Sequence, residues 1–273
     1  MPGSELYERF MALHTREGGL VLPNAWDGLS ALMLADAGFD AIGTSSAALA
    51  ATLGRVDGRH GITREEHLDH ARMLGRLTGL PVNGDFEDGY GDTPADVAVT
   101  VERTVQSGLA GVGIEDTSGN PDQPIRDFDE AVNRVRHAVA AAKRRIVITG
   151  RTDNFIQGRP DLDDTIRRLT AFAEAGADVL YAPFPPDLES LIAIVTAVAP
   201  TPVNVLISPA DKVLTVAELQ QAGVKRISVG PALYTHAMGA LEQATRALAS
   251  GDLASATTGI SFDRIGELIT HIN

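Results

Sequence analysis

Eight short apolar runs rich in β-branched residues recur along the chain, and most are followed by a longer segment with helical periodicity. The runs are Leu20–Ala25, Ala41–Ser45, Val82–Phe86, Gly111–Glu115, Ile146–Arg151, Val179–Phe184, Val203–Ile207 and Arg226–Gly230. Among the segments between them, Gly28–Ala37, Arg64–Leu77, Asp161–Glu174, Asp187–Val198 and Thr215–Gln221 carry the helical pattern. Helix ends are punctuated by Ala37-Gly38, Ala175-Gly176 and Ala222-Gly223, because glycine takes the left-handed conformation there without strain. Helix starts are marked by Thr63 ahead of Arg64-Glu65-Glu66 and by Thr215 ahead of Glu218, both capping-box patterns. An uninterrupted series of this kind, without a Pro/Gly/Ser linker, predicts a single α/β domain over residues 1–273, a (β/α)8 barrel of the TIM type. The competing architecture, a doubly wound sheet, calls for Gly-x-Gly-x-x-Gly at an early strand-to-helix turn, and Leu20–Gly28 lacks it. An extra helix, Glu5–His14, is placed to plug or flank the barrel. A C-terminal helical region, about 232–273, lies beyond the eighth unit and suits packing on a neighbouring subunit.

With 44% hydrophobic residues and a mean hydropathy of +0.01, the chain can bury a sizeable core and stay in water. No apolar run is long enough to span a bilayer, and Met1-Pro2-Gly3-Ser4-Glu5 has no basic-then-apolar signal pattern, so a cytoplasmic location is expected. Cysteine is absent, which excludes disulfides, thiolate metal sites and thiol nucleophiles. A formal net charge of −13 disfavours nucleic acid and anionic membranes as partners. An anionic substrate stays compatible with it, because local arginines and a metal ion reverse the sign inside a pocket.

The chemistry concentrates in Pro81-Val82-Asn83-Gly84-Asp85-Phe86-Glu87-Asp88-Gly89-Tyr90-Gly91, where a buried-strand pattern ends in three carboxylates. Carboxylates crowded in this way repel one another and are costly to desolvate without a cation. Hard divalent ions supply that cation and favour oxygen ligands. The next strand-like run ends in a second acidic pair, Glu115-Asp116. Acids at the C-terminal ends of two successive strands point to a metal site, since barrels build their active sites there. A solvated acidic turn is the plainer alternative.

These motifs, in this order, resemble the isocitrate lyase / phosphoenolpyruvate mutase superfamily over nearly the whole chain. Asp85-Phe86-Glu87-Asp88-Gly89-Tyr90-Gly91 is similar to its Asp-x-Asp-x-Gly-(Phe/Tyr)-Gly metal motif, with Glu87 where Asp is usual. Ile114-Glu115-Asp116, Gly150-Arg151-Thr152-Asp153 and Asn24-Ala25-Trp26-Asp27-Gly28 also match family segments, and Thr44-Ser45-Ser46-Ala47 resembles its carboxylate-holding loop. The resemblance implies Mg²⁺ or Mn²⁺ held by Asp57, Asp85, Glu87 and Glu115, with Asp88 a competing ligand and Asp57 equally readable as a turn residue. It implies a small anionic 2-oxo or 2-hydroxy dicarboxylate as substrate, a metal-stabilised enolate, and a homo-oligomer, dimer or tetramer.

Arg151 is the candidate for a bidentate grip on a substrate carboxylate, against a structural salt bridge to Asp153. Ser45, Ser46 and Ala47 are candidate anion contacts, and Trp26, Asp85 and Asn204 candidate substrate contacts. Arg151, Glu115, Tyr181 and His60 make up the candidate catalytic set. One departure stands out: where the family's lyases carry Lys-Lys-Cys-Gly-His, this chain reads Thr117-Ser118-Gly119-Asn120-Pro121-Asp122-Gln123-Pro124, a short turn-rich stretch without Cys, Lys or His. The expected reaction is carbon–carbon cleavage, with isocitrate- or methylisocitrate-lyase-like and oxaloacetate-type hydrolysis or decarboxylation as its forms. Carbon–phosphorus chemistry on a phosphonopyruvate-like acid and 2-oxo acid binding with little turnover are the alternatives.

Overall fold

A computed structural model describes residues 2–58, 60–206 and 214–270. Eight parallel strands form one sheet: β1 (Leu20–Leu22), β2 (Ile42–Gly43), β3 (Val82–Asp85), β4 (Gly111–Glu115), β7 (Val147–Arg151), β8 (Val179–Tyr181), β9 (Val203–Val205) and β10 (Arg226–Ser228). A separate antiparallel hairpin, β5 (Thr117–Asn120) and β6 (Gln123–Ile125), follows β4. The sheet order β1-β10-β9-β8-β7-β4-β3-β2 closes on itself through a parallel bridge between Asn24 and Gly43. Asn24 ties this seam: its Nδ2 donates to Thr44 O at 2.6 Å, while its Oδ1 accepts from the Gly230 amide at 2.8 Å. Gly43 is required here, since a Cβ would come within 2.8 Å of Asn24 Nδ2. Each expected run therefore contains a barrel strand, in most cases shorter than the run. The last residue of the expected ninth-strand run, Ile207, lies outside the described residues.

The helices are α1 (Pro2–Thr15), α2 (Gly28–Asp36), α3 (Ser46–Thr52), α4 (Arg64–Thr78), α5 (Pro94–Gln106), α6 (Phe128–Ala142), α7 (Leu162–Glu174), α8 (Leu188–Val198), α9 (Val216–Gln221), α10 (Ala232–Ala249), α11 (Leu253–Ala256) and α12 (Phe262–Thr270). Both expected capping boxes form, at Thr63 and Thr215. Apolar stripes of α4, α5 and α6 pack on the outer faces of β2, β3 and β4, with Leu74, Val97, Val101 and Ala138 buried against Val82, Val112 and Ile114. The N-terminal helix does plug the barrel. Tyr7 and Phe10 are buried among Leu20, Ala41, Val147 and Val179 near the strand starts, which leaves the opposite, C-terminal mouth as the open end.

The stretch after β4, expected as a turn-rich loop, is the β5–β6 hairpin instead. Its polar residues have little strand preference of their own, and tertiary anchors hold it: the Arg126 amide donates to Asp116 O at 2.8 Å and Arg126 Nε to Thr117 O at 3.0 Å. Of the C-terminal helices, α12 packs on α2, burying Leu268 and pairing Arg264 with Asp36, whereas α10 stands away from the barrel. Helix α10 buries none of its residues, and Leu233, Met238, Leu241 and Leu248 are exposed along it. From α10, Tyr234 reaches back, edge-on to Trp26 at 5.6 Å. Residues 271–273 of the expected C-terminal region lie outside the described residues. Among the described residues, no helix is long and apolar enough to cross a membrane.

Candidate metal and substrate site

At the C-terminal mouth a cavity of about 570 Å³ is lined by Ser46, Asp57, His60, Glu87, Asp88, Glu115 and Arg151, with the β5–β6 hairpin forming one wall. Tyr181, Asn204, Trp26 and Ser45 fall outside this lining; the first three belong to the β8–β9–β1 side of the barrel.

The turn after β3 holds its acids by backbone geometry that side chains rarely adopt. Glu87 and Tyr90 have positive φ, 46° and 55°, as does His60 at 56°. Such conformations cost of order 1–3 kcal/mol each and persist where neighbours over-determine them. The neighbours are identifiable. Arg134, almost fully buried, donates to Asp88 O and Gly91 O, both at 2.8 Å. The Tyr90 hydroxyl meets His67 Nδ1 at 3.1 Å, and His67 Nε2 lies 2.9 Å from Thr44 Oγ1, which accepts from the Asp85 amide at 2.8 Å. Burial lowers the His67 pKa to about 3, so this strut is neutral.

The turn separates two acids that are adjacent in sequence. Asp88 is spent: Oδ1 meets His60 Nε2 at 2.8 Å, and Oδ2 accepts from Arg126 at 2.7 Å and Arg134 at 3.3 Å. Glu87 accepts one bond, from the His60 amide at 3.1 Å, and its other oxygen is buried without a partner. Burial raises the Glu87 pKa to about 7, with Asp57 and Asp85 adding to the rise. Asp57 is raised as well, by burial and then by Asp85. A similar division holds on β4. Asp116 points away from the cavity, accepting from the Asp153 amide at 3.0 Å and from Arg168 at 3.3 Å. Glu115 points in, where Thr117 donates to it at 2.7 Å and burial raises its pKa well above normal.

Arg151 stands among these acids. It grips Asp153 with two bonds, Nε to Oδ1 at 2.6 Å and Nη2 to Oδ2 at 2.9 Å, while Nη1 lies 3.1 Å from Asp85 and 3.0 Å from Glu115. Burial opposes its charge, yet Asp153, Glu115 and Asp85 hold its pKa well above normal. The salt bridge to Asp153 is therefore present, and most of the fork is committed before any substrate arrives. Ser46 is committed too, its amide and hydroxyl both donating to Asp85 Oδ2 at 3.0 Å. Ser45 caps α3 by accepting from the Ala48 amide. Ala47, half-buried in the first turn of α3, carries an amide with no acceptor inside the helix.

Among the described residues no three acids form a ready-made ion cage, because Arg151 lies between Asp85 and Glu115. The donor chemistry nonetheless fits a hard divalent cation: Asp57, Asp85 and Glu87 are mutually repelling carboxylates, and Glu87 offers an unpartnered buried oxygen. A measurable consequence follows. Acids with raised pKa values hold protons at low pH, and a cation must displace them. The rise in Tm produced by Mg²⁺ should therefore be larger at about pH 7.5 than at about pH 5.5, and Glu87→Gln should flatten that difference. An Mg²⁺ effect independent of pH would remove Glu87 from the ligand set.

The sequence carried no signal for Ser228. This residue of β10 meets Asn204 at 3.0 Å. An isolated serine at a strand end looks like any other; only barrel closure brings it beside Asn204.

Known proteins share this fold. A solved structure from Burkholderia cenocepacia, described as a lyase/mutase, superposes with a TM-score of 0.92 at 41% identity, covering 98% of this chain and 97% of the other. A probable 2-methylisocitrate lyase of Corynebacterium glutamicum is 31% identical over 90% of this chain and 80% of its own length. An oxaloacetate decarboxylase of Paraburkholderia xenovorans is 30% identical over 97% of this chain and 89% of its own. The phosphoenolpyruvate phosphomutase family profile matches residues 10–249. With the barrel and its mouth in place, the chain belongs to that family, within the phosphoenolpyruvate mutase/isocitrate lyase superfamily.

Proposed function

We propose that this chain is a cytoplasmic, divalent-metal-dependent enzyme that cleaves a carbon–carbon bond in a small 2-oxo or 2-hydroxy dicarboxylate. The observation that carries the reading is the set of carboxylates Asp57, Asp85, Glu87 and Glu115 gathered at the barrel mouth near the guanidinium of Arg151. Asp57, Asp85 and Glu87 would hold Mg²⁺ or Mn²⁺, with Glu115 acting next to it. When bound, such an ion would supply Lewis acidity toward a substrate oxygen.

The protein's own groups do the rest. Arg151 offers its remaining N–H to a substrate carboxylate, and Asp153 fixes the plane of its fork. Thr117 orients Glu115. The β5–β6 hairpin walls one side of the cavity. Carbon–phosphorus chemistry is the weaker reading, since the other arginine in the lining, Arg126, is already paired with Asp88 and Glu130. A panel of isocitrate, 2-methylisocitrate, oxaloacetate, 2,3-dimethylmalate and phosphonopyruvate, assayed with Mg²⁺ and again with EDTA, tests the proposal. Turnover of a dicarboxylate that EDTA abolishes supports it. Turnover of phosphonopyruvate alone, or saturable binding with no turnover, overturns it.

The exposed apolar residues of α10, together with Phe262, 88% exposed, are the basis for proposing a homo-oligomer in which this region packs on a neighbouring subunit. Light scattering should give a mass at least twice 28.8 kDa, and Leu241→Glu should reduce it. A monomer at micromolar concentration would contradict this.

A further inference from the structure

Arg126 sits between β6 and α6, largely buried, and each of its three side-chain nitrogens has its own acceptor. Nε donates to Thr117 O in the hairpin at 3.0 Å, Nη1 to Glu130 on α6 at 2.6 Å, and Nη2 to Asp88 Oδ2 in the turn after β3 at 2.7 Å. Its main chain is fixed as well. The amide donates to Asp116 O at 2.8 Å, and the carbonyl accepts from Arg168 at 3.0 Å. A planar fork serves three separated acceptors at once, which a lysine ammonium, a point charge on a flexible stem, does not. The guanidinium is thus held from the hairpin and from α6, and its third arm reaches the side chain of Asp88.

Two arginines divide the hold on that turn. Arg134 takes the main-chain oxygens of Asp88 and Gly91, while Arg126 takes the Asp88 carboxylate. Asp88 passes the restraint on, because its Oδ1 accepts from the Tyr90 amide at 3.1 Å and meets His60 Nε2 at 2.8 Å. A carboxylate only accepts, so His60 Nε2 is the donor. The amide of the same histidine donates to Glu87 Oε2 at 3.1 Å. His60 holds a positive φ of 56°, a conformation that persists only where a neighbour enforces it, and its tether to Asp88 does so. An unbroken path of hydrogen bonds, Arg126 to Asp88 to His60 to Glu87, therefore joins the hairpin to the acid whose other oxygen is buried without a partner. The same pairing keeps Asp88 from competing with Glu87 for a cation.

We propose that Arg126 is a positioning residue for the metal site: through Asp88 and His60 it sets the Glu87 carboxylate, so that the hairpin acts on the acids of the β3 turn without supplying a reacting group. This rests on the metal reading proposed above. Groups that orient metal ligands from outside contribute about 10–100-fold to metal affinity.

Calorimetric titration of the full chain with Mg²⁺, without substrate, tests this. Removing the charge of Arg126 would by itself favour a cation, so the informative variant is Arg126→Lys, which keeps the charge and loses the fork. It should weaken Mg²⁺ binding about tenfold. His60→Ala leaves the amide but removes its tether to Asp88, and should weaken binding by a similar factor. This variant lies in a loop and carries the reading should Arg126→Lys fail to fold. The double variant should bind no worse than the weaker single, because both cut one path. Gln123→Ala, which loosens the hairpin at its exposed bond to Asp127, should leave Mg²⁺ affinity unchanged. A lower Tm with unchanged Mg²⁺ affinity in Arg126→Lys would make this arginine a brace for the hairpin and overturn the proposal. Losses that multiply in the double variant, or an equal loss in Gln123→Ala, would overturn it too. Absence of saturable Mg²⁺ binding in the unmodified protein would overturn the metal reading itself, and this proposal with it.

Discussion

Arg151→Met should lower folding stability by about 3–5 kcal/mol, the range expected when one partner is removed from a buried ion cluster. The reason is the number of acids that depend on it: Asp153, Asp85 and Glu115 all lie within 3.1 Å of the guanidinium. Without it, three carboxylates face one another in a poorly hydrated mouth, and each must take up a proton or recruit an ion. Urea denaturation with and without Mg²⁺ measures this directly. Arg151→Lys keeps the charge but loses the fork, so it should recover part of the stability while substrate affinity stays weak. Wild-type stability in Arg151→Met would mean that the acids are not held by this cation.

Asp85→Asn should reduce turnover by about two to three orders of magnitude, the scale on which active-site electrostatic and metal-ion contributions are felt. Asp85 joins β2, β3 and β7 at the site. It accepts from the Ser46 amide and hydroxyl, pairs with Arg151, and is held through its own amide by Thr44. Asparagine preserves the shape but removes the charge and sets an NH₂ against donors on one side or the other. Mg²⁺ affinity should therefore fall together with kcat. The fold should persist, because Asp85 is half-buried and its neighbour Phe86 supplies the packing. Full activity of this variant, or of a metal-free preparation, would sink the proposed function.

The strands were legible because each carries a local signature: a short apolar run, in most cases bounded by glycine or an acid, repeated eight times. The positions of Asp85, Glu115 and Arg151 at strand ends follow from those runs alone, and β3, β4 and β7 do end there. Parallel strands joined by helices deliver such residues to one mouth whatever the details of packing. The hairpin at Thr117–Ile125 was not legible, since residues with little strand preference pair there only under the hold of Arg126.

What the sequence determined by itself was the eightfold βα alternation, the acids at the strand ends, and the absence of a cysteine, lysine or histidine in the loop after β4. The tertiary structure decided which of two adjacent acids keeps an open oxygen, Glu87 rather than Asp88. It also decided that Arg151 is already committed to three carboxylates and that Ser228 stands beside Asn204. Patterns along a chain report which face of an element is buried, because burial repeats with the period of the element. Partners such as Asp88 and Arg134, or Asn204 and Ser228, lie 46 and 24 residues apart, and only the closure of the barrel brings their atoms within bonding distance.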